Sequence, residues 1–251
     1  MGYGVLGPVE SRIDGRPLRL PGRNRPTLLA TLLLHNRQVV SIERLISTLW
    51  DENPPSTARR QTQNMAASLR RDLRAAGEAD TLDSLLGGYR INVDAARLDL
   101  ARFDHMAGEA RRHVEAGRDR EAVACFESSL AEWRGPALFG LRGHVMRAAA
   151  LHLDERRLGV VGELLEARLR LGLCHEVIAP ARAVIAEHPF REATIGQLMR
   201  ALQGVGRIVE ALRMYAELRV RLVRELGIDP CPALQLVHRR ILRQFTAERP
   251  A

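Results

Sequence analysis

The chain has 251 residues, with an ordinary hydrophobic content of 46%, few aromatics at 4% and a net charge of +8. That length allows one large domain or two small ones with real cores, and the hydrophobic content excludes a disordered chain. A sequence pI near 10.6 points to an anionic partner, nucleic acid or an acidic membrane surface. No apolar run reaches the roughly 18 residues of a membrane span, and no basic stretch followed by an apolar one opens the chain. The expectation is a cytoplasmic protein without membrane attachment. Cys125, Cys174 and Cys231 are widely spaced, without a CxxC pair, and read as structural thiols in a reducing compartment.

In chain order, the first twenty residues read as short strands. Gly4 to Pro8 is extended, Val9 to Ile13 alternates, Asp14-Gly15 is a hairpin turn and Leu18-Arg19-Leu20 returns. Pro26 then opens a helix with an apolar face of Leu28, Leu29, Leu32 and Leu33, ending near His35-Asn36. Ser41 caps a second helix carrying Ile42, Leu45, Ile46, Leu49 and Trp50 at one-face spacing, though Arg44 stands where a capping box would place Glu or Gln.

A third helix runs between Pro54-Pro55 and Gly77, with Ser56 as the N-cap and Gly77 as the C′ residue. At about 100° per residue, Ala58, Thr62, Met65, Ala66, Leu69 and Leu73 share one arc, which must face a core. The opposite arc holds Arg60, Gln63, Asn64, Ala67, Arg71 and Arg74, with Arg59 and Arg70 on its flank. Arginine reads guanine bidentately, Asn and Gln read adenine, and Ala can touch a thymine methyl. A solvated basic face on an ordinary bundle helix is the plainer reading of this segment taken alone. Context favours the sharper one. Thr81 to Leu86 and Tyr89 to Val93 flank Gly87-Gly88 as a tight hairpin, and three helices followed by a hairpin is the order of a winged helix. There the third helix enters the major groove and the hairpin reaches the backbone or the minor groove. Arg60, Gln63, Asn64 and Ala67 are the candidate base-edge residues. Arg59, Arg70, Arg71, Arg74 and Arg90 are the candidate phosphate contacts, with Arg70 able to serve either role.

From Asp94 onward the pattern is helical. Gly117-Arg118-x-x-Glu121-Ala122 is echoed by Gly206-Arg207-x-x-Glu210-Ala211, and more weakly by Gly172-Leu173-x-x-Glu176-Val177, 34 residues before Gly206. That is the tetratricopeptide period, with small residues where helices pair and glycine at the turns. A long helix from about 143 to 171 interrupts it. His188-Pro189 and Asp229-Pro230 are expected helix ends. The domains are therefore 1–93, a winged helix with small antiparallel sheets, and 94–251, an all-α helical-repeat domain.

Several stretches resemble the Streptomyces antibiotic regulatory protein family. In the first half they are Arg25-x-x-Leu28-Leu29-Ala30-x-Leu32-Leu33-Leu34, Arg44-Leu45-Ile46-x-x-Leu49-Trp50 and Gly88-Tyr89-Arg90-Ile91. In the second half, Leu130 to Leu138, Leu153 to Leu158, His188 to Glu192 and Glu225 to Pro230 are similar to the family's bacterial transcriptional activation domain. The resemblance implies a mainly α protein whose response-regulator-type winged helix precedes a tetratricopeptide-like domain. It further implies an activator of a secondary-metabolite gene cluster that binds direct repeats upstream of promoters in double-stranded DNA and recruits RNA polymerase. Direct repeats leave room for a homodimer on DNA. The chain departs from the family at Gln203-Gly204-Val205 and at Cys231.

No metal-ligand spacing, phosphate loop or nucleophile elbow is present, and His105 and His113 read as surface residues. No catalytic residue, metal or cofactor is called for. The reading from a different class is a helical-repeat scaffold whose basic winged helix docks protein rather than DNA. Salt dependence separates the two, because phosphate contacts release counterions.

Overall fold

The computed structural model describes residues 2–13, 16–18 and 20–247. It is mainly helical, with two small antiparallel sheets. The chain forms two compact units. One comprises residues 1–107 and 128–157, the other 108–127 and 158–251.

In the first unit, strands β1 (Gly2–Gly4), β2 (Glu10–Ile13) and β3 (Arg16–Pro17) form a sheet in that order, with Tyr3 opposite Ser11 and Arg12 opposite Pro17. The expected turn at Asp14-Gly15 lies outside the described residues, as does Arg19. The return strand comes earlier than 18–20, although the Leu18 amide still donates to the Ser11 carbonyl at 2.8 Å. The expected extended run from Gly4 to Pro8 is also displaced. Only Gly4 of it belongs to the sheet, and the rest pairs with chain more than a hundred residues away. The Val5 and Gly7 carbonyls accept from the Leu138 and Phe139 amides at 2.9 and 3.0 Å, and the Leu6 carbonyl from Arg134 at 2.8 Å.

Asp99 completes this clamp. Its side chain is 3% exposed; it accepts the Val5 amide at 2.9 Å, the Leu6 amide at 2.9 Å and the Arg134 guanidinium at 2.9 Å. A Cβ on Gly4 would lie 2.0 Å from Arg134 Nη2, so any larger residue would push that guanidinium from its present place. Phe103 meets Trp133 edge-on at 5.6 Å, and Arg157 lies 5.1 Å over the indole.

Helices α1 (Asn24–Leu34), α2 (Ile42–Trp50) and α3 (Ala58–Ala75) pack around Leu28, Leu29, Leu32, Leu33, Leu45, Leu69 and Leu73, all buried. Ser41 caps α2 as expected, accepting the Arg44 amide at 3.2 Å. The N-cap of α3 is Thr57, not Ser56, and its side chain caps no amide. The two prolines hold the entry turn instead, and the Ala58 amide bonds the Pro55 carbonyl at 2.9 Å. At the far end Gly77 takes φ +88°, its amide bonds Arg74 and the Glu78 amide bonds Leu73, which closes a Schellman turn.

A second sheet has the order β4 (Val40–Ser41), β6 (Gly88–Ile91), β5 (Leu82–Leu85). Leu85 pairs with Gly88, so the hairpin turn is Leu86-Gly87 rather than Gly87-Gly88. Gly87 supplies the positive φ of +80°. Gly88 is needed for a different reason: a Cβ there would sit 2.3 Å from the Val40 carbonyl oxygen. Gly88→Ala should therefore separate β4 from β6 and cost about 2–3 kcal/mol. An unchanged denaturant midpoint would show that the contact can relax.

Beyond a 3-10 turn at Ala95–Arg97 come α4 (Asp99–Glu115), α5 (Asp119–Leu130), α6 (His144–Arg170), α7 (Cys174–Glu187), α8 (Glu192–Gly204), α9 (Ile208–Leu226) and α10 (Pro232–Ala247). The echoed glycines share one job. Gly117, Gly172 and Gly206 take φ of +71°, +73° and +78°, and each ends a helix with the amide-to-carbonyl pair seen at Gly77. Ala122, Val177 and Ala211, five residues after each glycine, are buried. The core of the second unit gathers Leu165, Leu198, Leu202, Leu218, Leu222, Leu234 and Ile241 among others. The glycine at the departure from the family pattern has a packing reason: a Cβ on Gly204 would meet the Cys174 sulfur at 2.4 Å. His188 ends α7, as expected. Helix α9 ends at Gly227, in the left-handed region, before Asp229-Pro230 is reached.

Candidate nucleic-acid interface

The site is built on α3, and the periodicity of that helix decides what faces out. Ala58, Thr62, Ala66, Leu69 and Leu73 are buried and Met65 half-buried, which is the arc expected to face the core. Ser68 and Asp72 lie between the two arcs, and Arg25 of α1 bonds both, reaching Asp72 at 3.2 Å. This fixes the rotation of α3 about its own axis from the core side.

Arg60, Gln63, Asn64, Ala67, Arg71 and Arg74 are all exposed. The three arginines among them make no ion pair with any described residue. The outer arc is thus a stripe of uncompensated positive charge with two carboxamides and one methyl set into it.

The remaining sequence-predicted residues are engaged within the protein. Arg59 is exposed and pairs with Glu43 of α2 at 3.0 Å. The Glu43 carboxyl is held below its ordinary pKa by a bond from its own amide and then by Arg59. Arg70 is half-buried. Its Nε donates to the Leu82 carbonyl at 2.9 Å, which ties α3 to the start of the hairpin. Arg90 pairs across that hairpin with Asp83 at 2.8 Å. Arg90, and then Asn92, hold the Asp83 carboxyl below its ordinary pKa. Both partner acids, Glu43 and Asp83, lie on elements other than α3, so a helix-face reading gives no sign of them.

The hairpin is placed against α2 as well. The Ile42 amide donates to the Gly87 carbonyl at 2.9 Å, and Val40 pairs with Tyr89. Strand β4, at two residues, is too short for a strand period to register in the sequence. Val39-Val40 was the only available signal.

Residues 98–242 match the bacterial transcriptional activator domain family. Over 251 aligned residues the chain is 33% identical to the regulatory protein DnrI of Streptomyces peucetius, covering 97% of this chain and 92% of that one. The chain belongs to the Streptomyces antibiotic regulatory protein family. Within this family it is also 37% identical to AfsR of Streptomyces coelicolor, covering 96% of this chain and 24% of AfsR. It is 34% identical to the transcriptional regulatory protein EmbR of Mycobacterium tuberculosis, covering 96% of this chain. The chain spans 63% of EmbR's length. A solved structure of Mycobacterium tuberculosis EmbR in complex with a low-affinity phosphopeptide superposes with a TM-score of 0.93 at 33% identity. It covers all of this chain and 66% of that one. EmbR is a transcriptional regulatory protein by name, and DnrI and AfsR are regulatory proteins by name. No described helix is long and apolar enough to cross a membrane.

Proposed function

We propose that the chain is a sequence-specific DNA-binding transcriptional activator of a secondary-metabolite gene cluster. In this reading residues 1–93 act as a winged helix, with α3 in the major groove and the β5–β6 hairpin as the wing. Residues 94–251 act as a tetratricopeptide-like activation domain that holds a partner, as such repeats do. The family resemblance supplies direct repeats upstream of promoters as the site and RNA polymerase as the partner, and two repeats leave room for a homodimer. One observation carries the reading: the outer arc of α3 presents Arg60, Arg71 and Arg74 unpaired beside Gln63, Asn64 and Ala67.

The engaged arginines take different roles. Arg70 holds the wing against α3 and acts through position. Arg59 and Arg90 reach phosphate only by exchanging a carboxylate partner for it. Arg71 and Arg74, near the end of α3, are the free phosphate anchors. Arg71→Ala or Arg74→Ala should weaken binding to specific and random duplex alike and lower the slope of log affinity against log salt by about one. The measurement is a gel retardation series across salt concentrations. An unchanged slope removes that residue from the interface. A wild-type chain that retards no duplex at moderate salt favours the protein-docking scaffold instead.

A further inference from the structure

Nothing in the fold requires leucine at position 86. Leu86 stands at the hairpin tip with its side chain wholly in solvent, at 105% of the reference exposure, and Leu85 beside it is 37% exposed. The backbone demand of the turn falls on Gly87 and its packing demand on Gly88. A polar residue would serve a solvated turn better. One exposed leucine is ordinary on any protein surface. Its position is what distinguishes it.

The tip rests on the start of α2 through the bond from the Ile42 amide to the Gly87 carbonyl. Glu43, the next residue of α2, holds Arg59 at the start of α3. At its other end the hairpin is tied to α3 through Arg70 and Leu82. The hairpin is thereby tied to α2 at its tip and to α3 at its base, and the tip connects through Ile42 and Glu43 to a rim bearing Arg59 at the start of α3. A rim carrying Arg59 and Arg60 suits a polyanion.

We infer that Leu86 enters the minor groove of duplex DNA beside the segment read by α3, and that it favours A·T steps there. The inference rests on the DNA-binding reading above. A leucine side chain offers no acceptor to the guanine amine that projects from the floor of a G·C minor groove. A·T pairs lack that amine, and TA steps unstack easily around an apolar wedge.

The test uses duplexes selected from random sequence by the full-length wild-type chain. Selected sites should carry an A·T block on one flank. Replacing that block with G·C should weaken binding about five- to tenfold, the usual range for a misread step. Replacing it with inosine·cytosine, which shows an A·T-like minor groove and a G·C-like major groove, should restore it. Leu86→Ser should bind all three duplexes alike, and Leu86→Met should keep the preference. A thermal melt shows that both variants fold. The inference is overturned by selected sites without an A·T flank, by a Leu86→Ser variant that still discriminates, or by equal loss on all three duplexes. Failure of the wild-type chain to select any duplex overturns the DNA-binding reading itself.

Discussion

Asp99→Ala should cost the full chain about 3–5 kcal/mol, chiefly because two buried amides lose their acceptor at about 1–3 kcal/mol each. The change strips the acceptor from the Val5 and Leu6 amides and leaves Arg134 without its buried partner. Val5 and Leu6 are fully buried, so their two amides are left without an acceptor. Asp99→Asn keeps one acceptor oxygen and should lose less. The same contacts bear on where the chain can be cut. A 1–93 fragment contains every helix and strand of the proposed winged helix, yet it lacks Asp99, Arg134, Leu138 and Phe139. These residues hold segment 5–7 through its backbone amides and carbonyls. It also lacks Phe103 and Trp133, which belong to the same compact unit. That fragment should melt without a cooperative transition and bind DNA weakly, whereas a 1–157 fragment should regain both properties. Circular dichroism melts of the two, run beside a gel shift, decide the matter. A 1–93 fragment as stable as the longer one would mean that the clamp is dispensable.

Arg60→Ala, Gln63→Ala and Asn64→Ala carry the second large effect. These residues lie early on the exposed arc of α3, where recognition helices meet base edges. Each change should cost about 1–3 kcal/mol on a selected site and relax the base preference at one position. None should alter stability by more than about 0.5 kcal/mol, since all three side chains are in solvent. Affinity measured on selected and on random duplex separates the possibilities. Equal losses on both would rule out base reading and leave only charge.

The face of α3 was legible because it depends on nothing beyond the helix itself. A period of 3.6 residues assigns Ala58, Thr62, Ala66, Leu69 and Leu73 inward and Arg60, Gln63, Asn64, Arg71 and Arg74 outward whatever lies nearby. Several other local signals held, although the Ser56 cap and the Gly87-Gly88 turn were each off by one residue. Ser41 caps α2 because a hydroxyl can reach an amide three residues on. Gly77, Gly117, Gly172 and Gly206 end helices because the left-handed region strains other residues. Each of these decisions is made within about five residues.

Only the tertiary structure could decide the rest. In sequence Gly4 looks like part of an extended strand and Gly88 like a turn glycine. One admits the Arg134 guanidinium and the other the Val40 carbonyl, both brought close by distant chain. The segment after Gly4 looks like a free strand but bonds residues 134–139. Arg70 and Arg90 match the exposed arginines in type, yet the Leu82 carbonyl and the Asp83 carboxylate engage them. Residue type and helical phase give a side chain its direction. Whether it arrives free or already partnered depends on which acceptors the fold brings alongside, and no local period records that.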